Sequence, residues 1–168
     1  MALAVIRRII SGPNRGTNAH ASESLLEGGS VVLKAGAPVI ASSGLIVLDT
    51  TTDGSSSTTP VGIAEEDGHN ATSGTKNIRV MLAEGGQVFE GTLATSSGGT
   101  GGAPLAATLV QTDAWITANL AMQDSTGLWY IDRAGTNDRV LIVGFRDPVG
   151  TVNPRVYFKF LNSKAINA

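Results

Sequence analysis

The feature that most constrains this chain of 168 residues is a β-strand pattern that occurs twice. In each copy, a strand that opens with Gly-Leu and ends with Asp is followed by a Val-Gly pair, an Asp and an Arg-Val pair. The opening strands are 44–49 (GLIVLD) and 127–132 (GLWYID), and only the loop lengths differ. Such a repeat indicates a duplicated supersecondary unit. The alternative is a chance match, because variable loops make two runs of short strands easy to align.

The repeat predicts which positions of the two copies are equivalent. Because neighbouring residues of a strand face opposite sides, we expect the valine of each Arg-Val pair to point into a core and the arginine to point outward. The predicted pairs are Gly44 with Gly127, Gly62 with Gly144, Arg79 with Arg155, and Val80 with Val156.

Short apolar runs separated by Gly-, Ser- and Thr-rich segments predict an all-β fold of small barrel-like units. We expect an N-terminal arm at residues 1–30, a first β unit at 31–94, a flexible Gly/Ser linker at 95–102 and a second β unit at 103–168. Within the second unit, residues 104–122 leave two interpretations open. Thr112 or Asp113 is a suitable cap for a short helix, whereas the repeat places a strand near residues 120–122.

The predicted arm carries the candidate contact site. Its apolar residues need burial, and the breaker-rich segment 11–18 separates them from the β units. The arm either extends to a partner or forms the N-terminal strand of the chain's own sheet. The candidate contact residues are Leu3, Val5, Ile6, Arg7, Arg8, Ile9 and Ile10.

Composition argues against several classes of function. There is no Cys, so disulfide frameworks and thiolate metal sites are excluded. A net charge of −2 with 15% charged residues argues against nucleic-acid binding. No apolar run approaches the roughly 20 residues that span a bilayer, so we expect no membrane partner. Arginines within the first ten residues do not fit a secretory signal, so the expected location is where the protein is made.

The sequence offers little for catalysis. His20 and His69 both lie in polar, loop-like segments, where the fixed geometry of a catalytic triad is not expected. Segment 49–54 superficially resembles a calcium loop but lacks the distal Glu ligand. The acidic cluster 65–67 suits a weakly held cation, a neighbour's arginine or simply a solvated loop entrance. We therefore predict no catalytic residue, no metal site and no cofactor, and that the protein is not an enzyme.

The first unit resembles the lambda-type head decoration proteins of tailed bacteriophages over residues 30–93. The resemblance comes from an apolar strand pair, a Thr/Asp/Gly loop and a Val-Gly-Ile strand in this order. The matching segments are 33–39 (LKAGAPV), 44–49 (GLIVLD), 51–54 (TTDG), 61–64 (VGIA), 79–82 (RVML) and 86–90 (GQVFE).

This resemblance implies a β-tulip-like fold and an N-terminal arm laid on the capsid. It further implies a structural virion protein that acts as a cement on the outer capsid surface, after synthesis in the cytoplasm of a bacterial host. The expected partners are the major capsid protein and further copies of the chain, as a homotrimer in preference to a homodimer. The second unit departs from the family pattern, and such a duplication can change the symmetry to a dimer across two-fold positions.

The alternative function is a carbohydrate-binding or adhesin module on a virion. It assumes that Trp129 and Tyr130 are exposed beside a polar loop, where they would stack on sugar rings. Exposure of Trp115 or Trp129 on an open face would favour it, and burial of both would oppose it. A third hypothesis, a tail or head-completion protein, would differ from a decoration protein in its copy number per virion.

Overall fold

The structure is a computed structural model that describes residues 7–8, 22–29, 33–49, 60–69, 72–83, 87–96, 104–123, 127–134 and 138–161. This part of the chain is all-β, as predicted, with one three-residue 3₁₀ helix at Gln111–Asp113. The strands are β1 (Arg7–Arg8), β2 (Ser22–Leu26), β3 (Pro38–Ser42), β4 (Leu45–Leu48), β5 (Gly62–Ala64), β6 (Asn77–Leu82), β7 (Phe89–Ser96), β8 (Pro104–Ala106), β9 (Thr117–Gln123), β10 (Leu128–Asp132), β11 (Val140–Phe145) and β12 (Arg155–Phe160).

The first unit is a small five-stranded barrel in the order β2-β6-β5-β3-β4. Every neighbouring pair in this order is antiparallel. A parallel bridge between Glu27, just after β2, and Ile46 of β4 closes the ring. The backbone N–H of Gly28 adds a hydrogen bond to the Ile46 carbonyl at 2.7 Å. Alternate residues of its strands point inward. The buried side chains are aliphatic and include Leu33, Val39, Ile63, Ile78 and Val80.

The second unit contains a ring of five strands in the order β7-β10-β9-β11-β12, and β12 pairs back with β7. Only the β7–β10 pair is parallel. Strands β1 and β8 lie outside this ring, and each pairs with β7. The core is aromatic, with the Phe89 ring centroid 5.8 Å from that of Phe158 and 5.3 Å from that of Phe160.

The two rings have the same topology. In each, an N-terminal strand (β2 or β7) pairs antiparallel with the last strand and parallel with the second strand of a hairpin. The other four strands follow in the same order, β4-β3-β5-β6 and β10-β9-β11-β12. Gly44 and Gly127 directly precede β4 and β10, with φ values of 79° and 67°. Their predicted equivalence is confirmed, and the common strand order supports an internal duplication.

The register corrects the other predicted pairs. Val80 lies opposite Ala64, and Phe160 lies opposite Val140. Ala64 and Val140 occupy matching places beside β3 and β9, so the counterpart of Val80 is Phe160 rather than Val156.

By the same register, Gly62 and Gly144 are not equivalent. Gly62 precedes Ala64 in β5, whereas Gly144 follows Val140, the residue of β11 that matches Ala64. Both predicted valines are nevertheless buried, while Arg79 and Arg155 face outward. Alternation has a period of two, so it fixes the face correctly even when the alignment slips by four residues.

Two predicted boundaries differ from the structure. Residues 22–26, predicted within the arm, form β2 of the first ring. The strand at 87–90, predicted to close the first unit before residue 94, belongs to β7 of the second unit, because Phe89 and Glu90 pair with β12. Most of the predicted linker lies outside the described residues. For residues 104–122 the strand interpretation is confirmed, because residues 120–122 lie in β9. The helix capped by Thr112 or Asp113 is wrong, since the 3₁₀ helix at 111–113 ends before Trp115 and has Val110 as its N-cap.

The described part of the arm joins the chain's own sheet. Arg7 and Arg8 form β1 and pair antiparallel with Glu90 and Phe89 of β7. For these two residues the structure therefore follows the own-sheet alternative. The other candidate contact residues, Leu3, Val5, Ile6, Ile9 and Ile10, lie outside the described residues.

Candidate binding surface

The two tryptophans of the chain have opposite environments. Trp129 is 2% exposed and the adjacent Tyr130 is equally buried, so the prediction that these two rings are exposed is wrong. Strand β10 is covered on both of its faces, and Tyr130 packs with Ala94 and Ala121. Trp115, in contrast, is 70% exposed. The exposed aromatic side chain of the second unit is therefore Trp115.

Trp115 occupies a β-bulge with a left-handed backbone. Its N–H donates to the Ile142 carbonyl at 2.8 Å, and the Ile142 N–H donates to the Ile116 carbonyl at 3.0 Å. Two residues of one strand thus oppose a single residue of the other, and Trp115 has a φ of 64°. The first position of such a bulge is normally Gly, because an L side chain in this conformation costs roughly 1–2 kcal/mol.

A buried ion pair supports the turn that precedes Trp115. The Asp113 carboxylate is buried and accepts the backbone N–H of Val110 at 2.9 Å. Arg133 Nη1 lies 3.3 Å from Asp113 Oδ2 and donates to the Thr108 carbonyl at 3.1 Å. Because Asp113 satisfies a donor of the 3₁₀ turn while Arg133 neutralises its charge, the backbone leading into Trp115 is held on both sides.

Exposed valines lie on the segment that precedes Trp115 in the chain and on the segment that pairs with it. Thr108 pairs with Val152, and alternation along 107–110 buries Ala107 and Leu109 while exposing Thr108 and Val110. Segments 104–112 and 148–153 contain no charged residue. We call Trp115 together with the exposed valines of these two segments the Trp115 surface; its members are Val110, Trp115, Val149 and Val152.

The two described arm residues lie apart from Trp115 within the second unit. Arg7 and Arg8 flank β7, whereas Trp115 continues the β9–β11 pairing, and β12 lies between β7 and β11 in the ring. Sequence reasoning identified Trp115 only as an aromatic residue whose exposure would matter. Nothing in the local pattern marks position 115 as left-handed, because Gly is the usual signal for that conformation.

A charged network covers another part of the second unit. Arg146 Nη1 donates to both oxygens of the buried Glu90 carboxylate, at 2.6 and 2.5 Å. Arg155 Nη2 donates to Asp147 Oδ1 at 3.0 Å, and this side-chain hydrogen bond lowers the pKa of Asp147 below its ordinary value. In this network the carboxylates of Glu90 and Asp147 are each paired with an arginine.

The acidic cluster of the first unit pairs with cations of the chain. Arg79 Nε lies 3.9 Å from Glu65 Oε2 and 3.8 Å from Glu66 Oε2. The hydrogen bond from the Ala35 backbone N–H, followed by the one from Lys34, lowers the pKa of Asp67. These partners belong to the same chain, and Asp67 and Arg79 are both exposed, which agrees with the interpretation of a solvated loop entrance.

The histidines and acidic residues show no metal-site geometry where the structure describes them. His69 bonds the buried Glu27 carboxylate through its backbone N–H at 2.9 Å and its Nδ1 at 3.1 Å, while His20 lies outside the described residues. Within the described ranges, no three or more His, Cys, Asp or Glu residues group closely enough to hold a metal ion. Among those same residues, no helix is long and apolar enough to cross a membrane.

Comparisons with known proteins add no relative: the chain matches no protein-family model, no curated protein and no solved structure.

Proposed function

We propose that this chain is a structural virion protein that binds the outside of a mature phage capsid as a decoration, or cement, protein. The observation that carries the proposal is the pair of small rings with one strand order, β4-β3-β5-β6 closed by β2 and β10-β9-β11-β12 closed by β7. Four of the six segments that resemble the head decoration proteins, 33–39, 44–49, 61–64 and 79–82, lie in the unit that forms the first of these rings, whereas segment 86–90 overlaps β7 of the second. Closed rings leave few open strand edges, which suits a protein packed in many copies on a shell.

The physical basis of cementing is selective binding. A protein that binds the assembled shell and not its free subunits stabilises the assembled state by mass action. Many copies around each capsomer act together through multivalency, so each contact need only be of moderate strength. The neutral, uncharged segments around the Trp115 surface suit such packing between protein subunits.

The arm remains part of this proposal. An extended apolar segment can bind by adding a strand to an exposed sheet edge, where main-chain hydrogen bonds supply affinity. Three buried apolar side chains at about 1.5–3 kcal/mol each would outweigh Arg7 and Arg8, since an exposed ion pair contributes only about 0.2–1 kcal/mol. Strand β1 shows that residues of this segment can add to a sheet, here to β7.

Deletion of residues 2–12 tests the arm. The deletion removes a two-residue strand outside the ring, so we expect a folded, soluble protein that no longer binds undecorated mature heads in a sedimentation assay. The matched variant, Arg7→Ala with Arg8→Ala, should bind modestly more weakly and with less dependence on salt. Unfolding of the deletion variant, followed by circular dichroism, would show that the segment belongs to the protein's own structure instead.

Binding of the intact chain to heads tests the function itself. We expect near-stoichiometric binding and a copy number in purified particles comparable with that of the major capsid protein. A few copies per particle would indicate a tail or head-completion protein. Light scattering of the free protein distinguishes the proposed homotrimer from a homodimer.

The exposure of Trp115 favours one second candidate, a carbohydrate-binding module on a virion. An exposed indole can stack on a sugar ring while its N–H donates a hydrogen bond to a hydroxyl oxygen. Binding to a glycan array that disappears in Trp115→Ala, without binding to heads, would establish this function in place of the first.

A further inference from the structure

We propose that Trp115 anchors this protein to its partner by inserting its indole into an apolar pocket on a protein surface. The inference rests on the proposed function, in which that surface is the outer face of the assembled shell. It assigns the contact to the second unit and to one side chain, apart from the arm.

The backbone at Trp115 is strained, and the fold does not need a Trp there. A φ of 64° at the first position of a bulge suits Gly, which adopts it without steric cost. The hydrogen bonds that define the bulge, from the Trp115 N–H and to the Ile116 carbonyl, use only backbone atoms. Glycine would make the same bonds, so the indole contributes nothing to them.

Burial does not offset the strain. An indole that packs in a core stabilises the fold because its apolar surface leaves water, as is the case for the buried Trp129 in the same unit. Trp115 leaves most of its surface in water. A strained residue with an exposed, apolar side chain marks a site where strain is retained for another purpose, and binding is the purpose that an exposed Trp serves most directly.

The surroundings of Trp115 fit a protein surface better than a sugar. The cores of protein interfaces are depleted of charge and enriched in aromatic side chains. The Trp115 surface has this character, since its other members are valines. The partly exposed Arg133 that bonds the Thr108 carbonyl is paired with the buried Asp113. Sugar sites, in contrast, need several polar groups placed to bond hydroxyls. The complementary partner is therefore an uncharged, apolar patch with room for one indole.

The experiment measures binding to undecorated mature heads by the intact chain, Trp115→Ala and Trp115→Gly. Leu26→Ala is the matched control, because Leu26 is an exposed apolar side chain of the first unit. We expect both Trp115 variants to bind about 30-fold more weakly, the factor that corresponds to the roughly 2 kcal/mol defining an anchoring residue, and Leu26→Ala to bind normally.

Thermal denaturation of the same variants separates binding from folding. Because Ala retains the left-handed strain and Gly relieves it, we expect Trp115→Gly to melt a few degrees above Trp115→Ala, with both folded. A variant that is folded and binds poorly supports the anchor. The blue shift of Trp115 fluorescence on binding should be absent from both variants.

The outcomes distinguish the anchor from the proposed function. If the intact chain binds heads and Trp115→Ala binds equally well, the anchor is wrong and the decoration function stands. If the intact chain does not bind heads at all, both fall. Equal loss of binding in Leu26→Ala would also overturn the anchor, since exposed apolar area anywhere would then have the same effect. Trp115-dependent binding to a glycan array would replace the protein partner with a sugar.

Discussion

The two rings of this chain share a strand order but differ in how they close and what fills them. The first ring closes through a single bridge between Glu27 and Ile46, and the buried carboxylate of the same Glu27 forms a hydrogen bond with His69. The second closes through a parallel pairing of Leu93 and Ala94 with β10. All eight aromatic residues of the chain lie within residues 88–161, the range of the second unit. The comparison shows that this topology tolerates both an aliphatic and an aromatic core.

In the first ring, the backbone of a neighbouring strand lies too close to Gly62 to leave room for a side chain. A Cβ added at Gly62 would overlap the Met81 carbonyl oxygen of the neighbouring strand and lie 2.7 Å from Val80 Cγ1. At Gly144 in the second ring, the nearest atom would be Tyr157 Cδ2 at 3.5 Å, an ordinary contact. Gly62 and Gly144 look equivalent in sequence, but only at Gly62 does the neighbouring backbone exclude a side chain.

The largest expected difference follows from these two glycines. Gly62→Ala should destabilise the protein by roughly 2–3 kcal/mol, because the clash is with backbone that cannot move aside cheaply. Gly144→Ala should be neutral or stabilising by up to about 1 kcal/mol, since the new methyl group fits and the unfolded chain loses freedom. Urea denaturation of both variants measures the difference. Equal destabilisation would show that the sequence alignment of the two glycines describes the fold better than the strand register does.

A smaller effect should be the same in both rings. Gly44→Ala and Gly127→Ala each place a side chain in a left-handed turn, with no atom within 4 Å of the new Cβ. The cost is therefore purely a backbone cost, about 1 kcal/mol in each case. Thermal denaturation should give matching shifts for the two variants. A clear difference between them would argue against equivalent hairpins.

The smallest effect concerns acid stability. The pKa values of Asp147 and Asp67 are both lowered, so each carboxylate stabilises the fold above its unfolded pKa of about 3.9 and loses that contribution as the pH falls through the folded value. Asp147 is 19% exposed and Asp67 is 59% exposed, so solvent screens Asp67 more strongly.

Asp147→Asn should therefore lower the melting temperature at pH 7 more than Asp67→Asn does, and both differences from the unmodified chain should shrink as the pH falls through the lowered folded pKa of each carboxylate. Melting curves between pH 2 and about pH 7 test this. A larger effect for Asp67→Asn would mean that its backbone hydrogen bond from Ala35 outweighs the screening.

The sequence predicted the fold class and most strands, because apolar alternation and turn residues act locally. It placed Val80 and Val156 correctly inside but matched them to each other wrongly, since alternation carries no information about a slip of four residues. It assigned β7 to the wrong unit because strand pairing with β12 is a long-range choice.

The candidate binding surface was less predictable than the fold. The exposure of Trp115 and the burial of Trp129 depend on a bulge and on a strand covered on both faces, and neither has a signature within the local sequence. Both residues belong to apolar stretches that look alike when read along the chain.

The bulge at residue 115 also bears on how this protein can change over evolutionary time. Because the left-handed cost arises in the backbone, it is similar for most side chains, and an exposed side chain adds little to it. Substitutions among large residues at this position should therefore leave folding nearly unaffected. Under the proposed anchoring role, position 115 is a place where partner preference can change without a loss of stability.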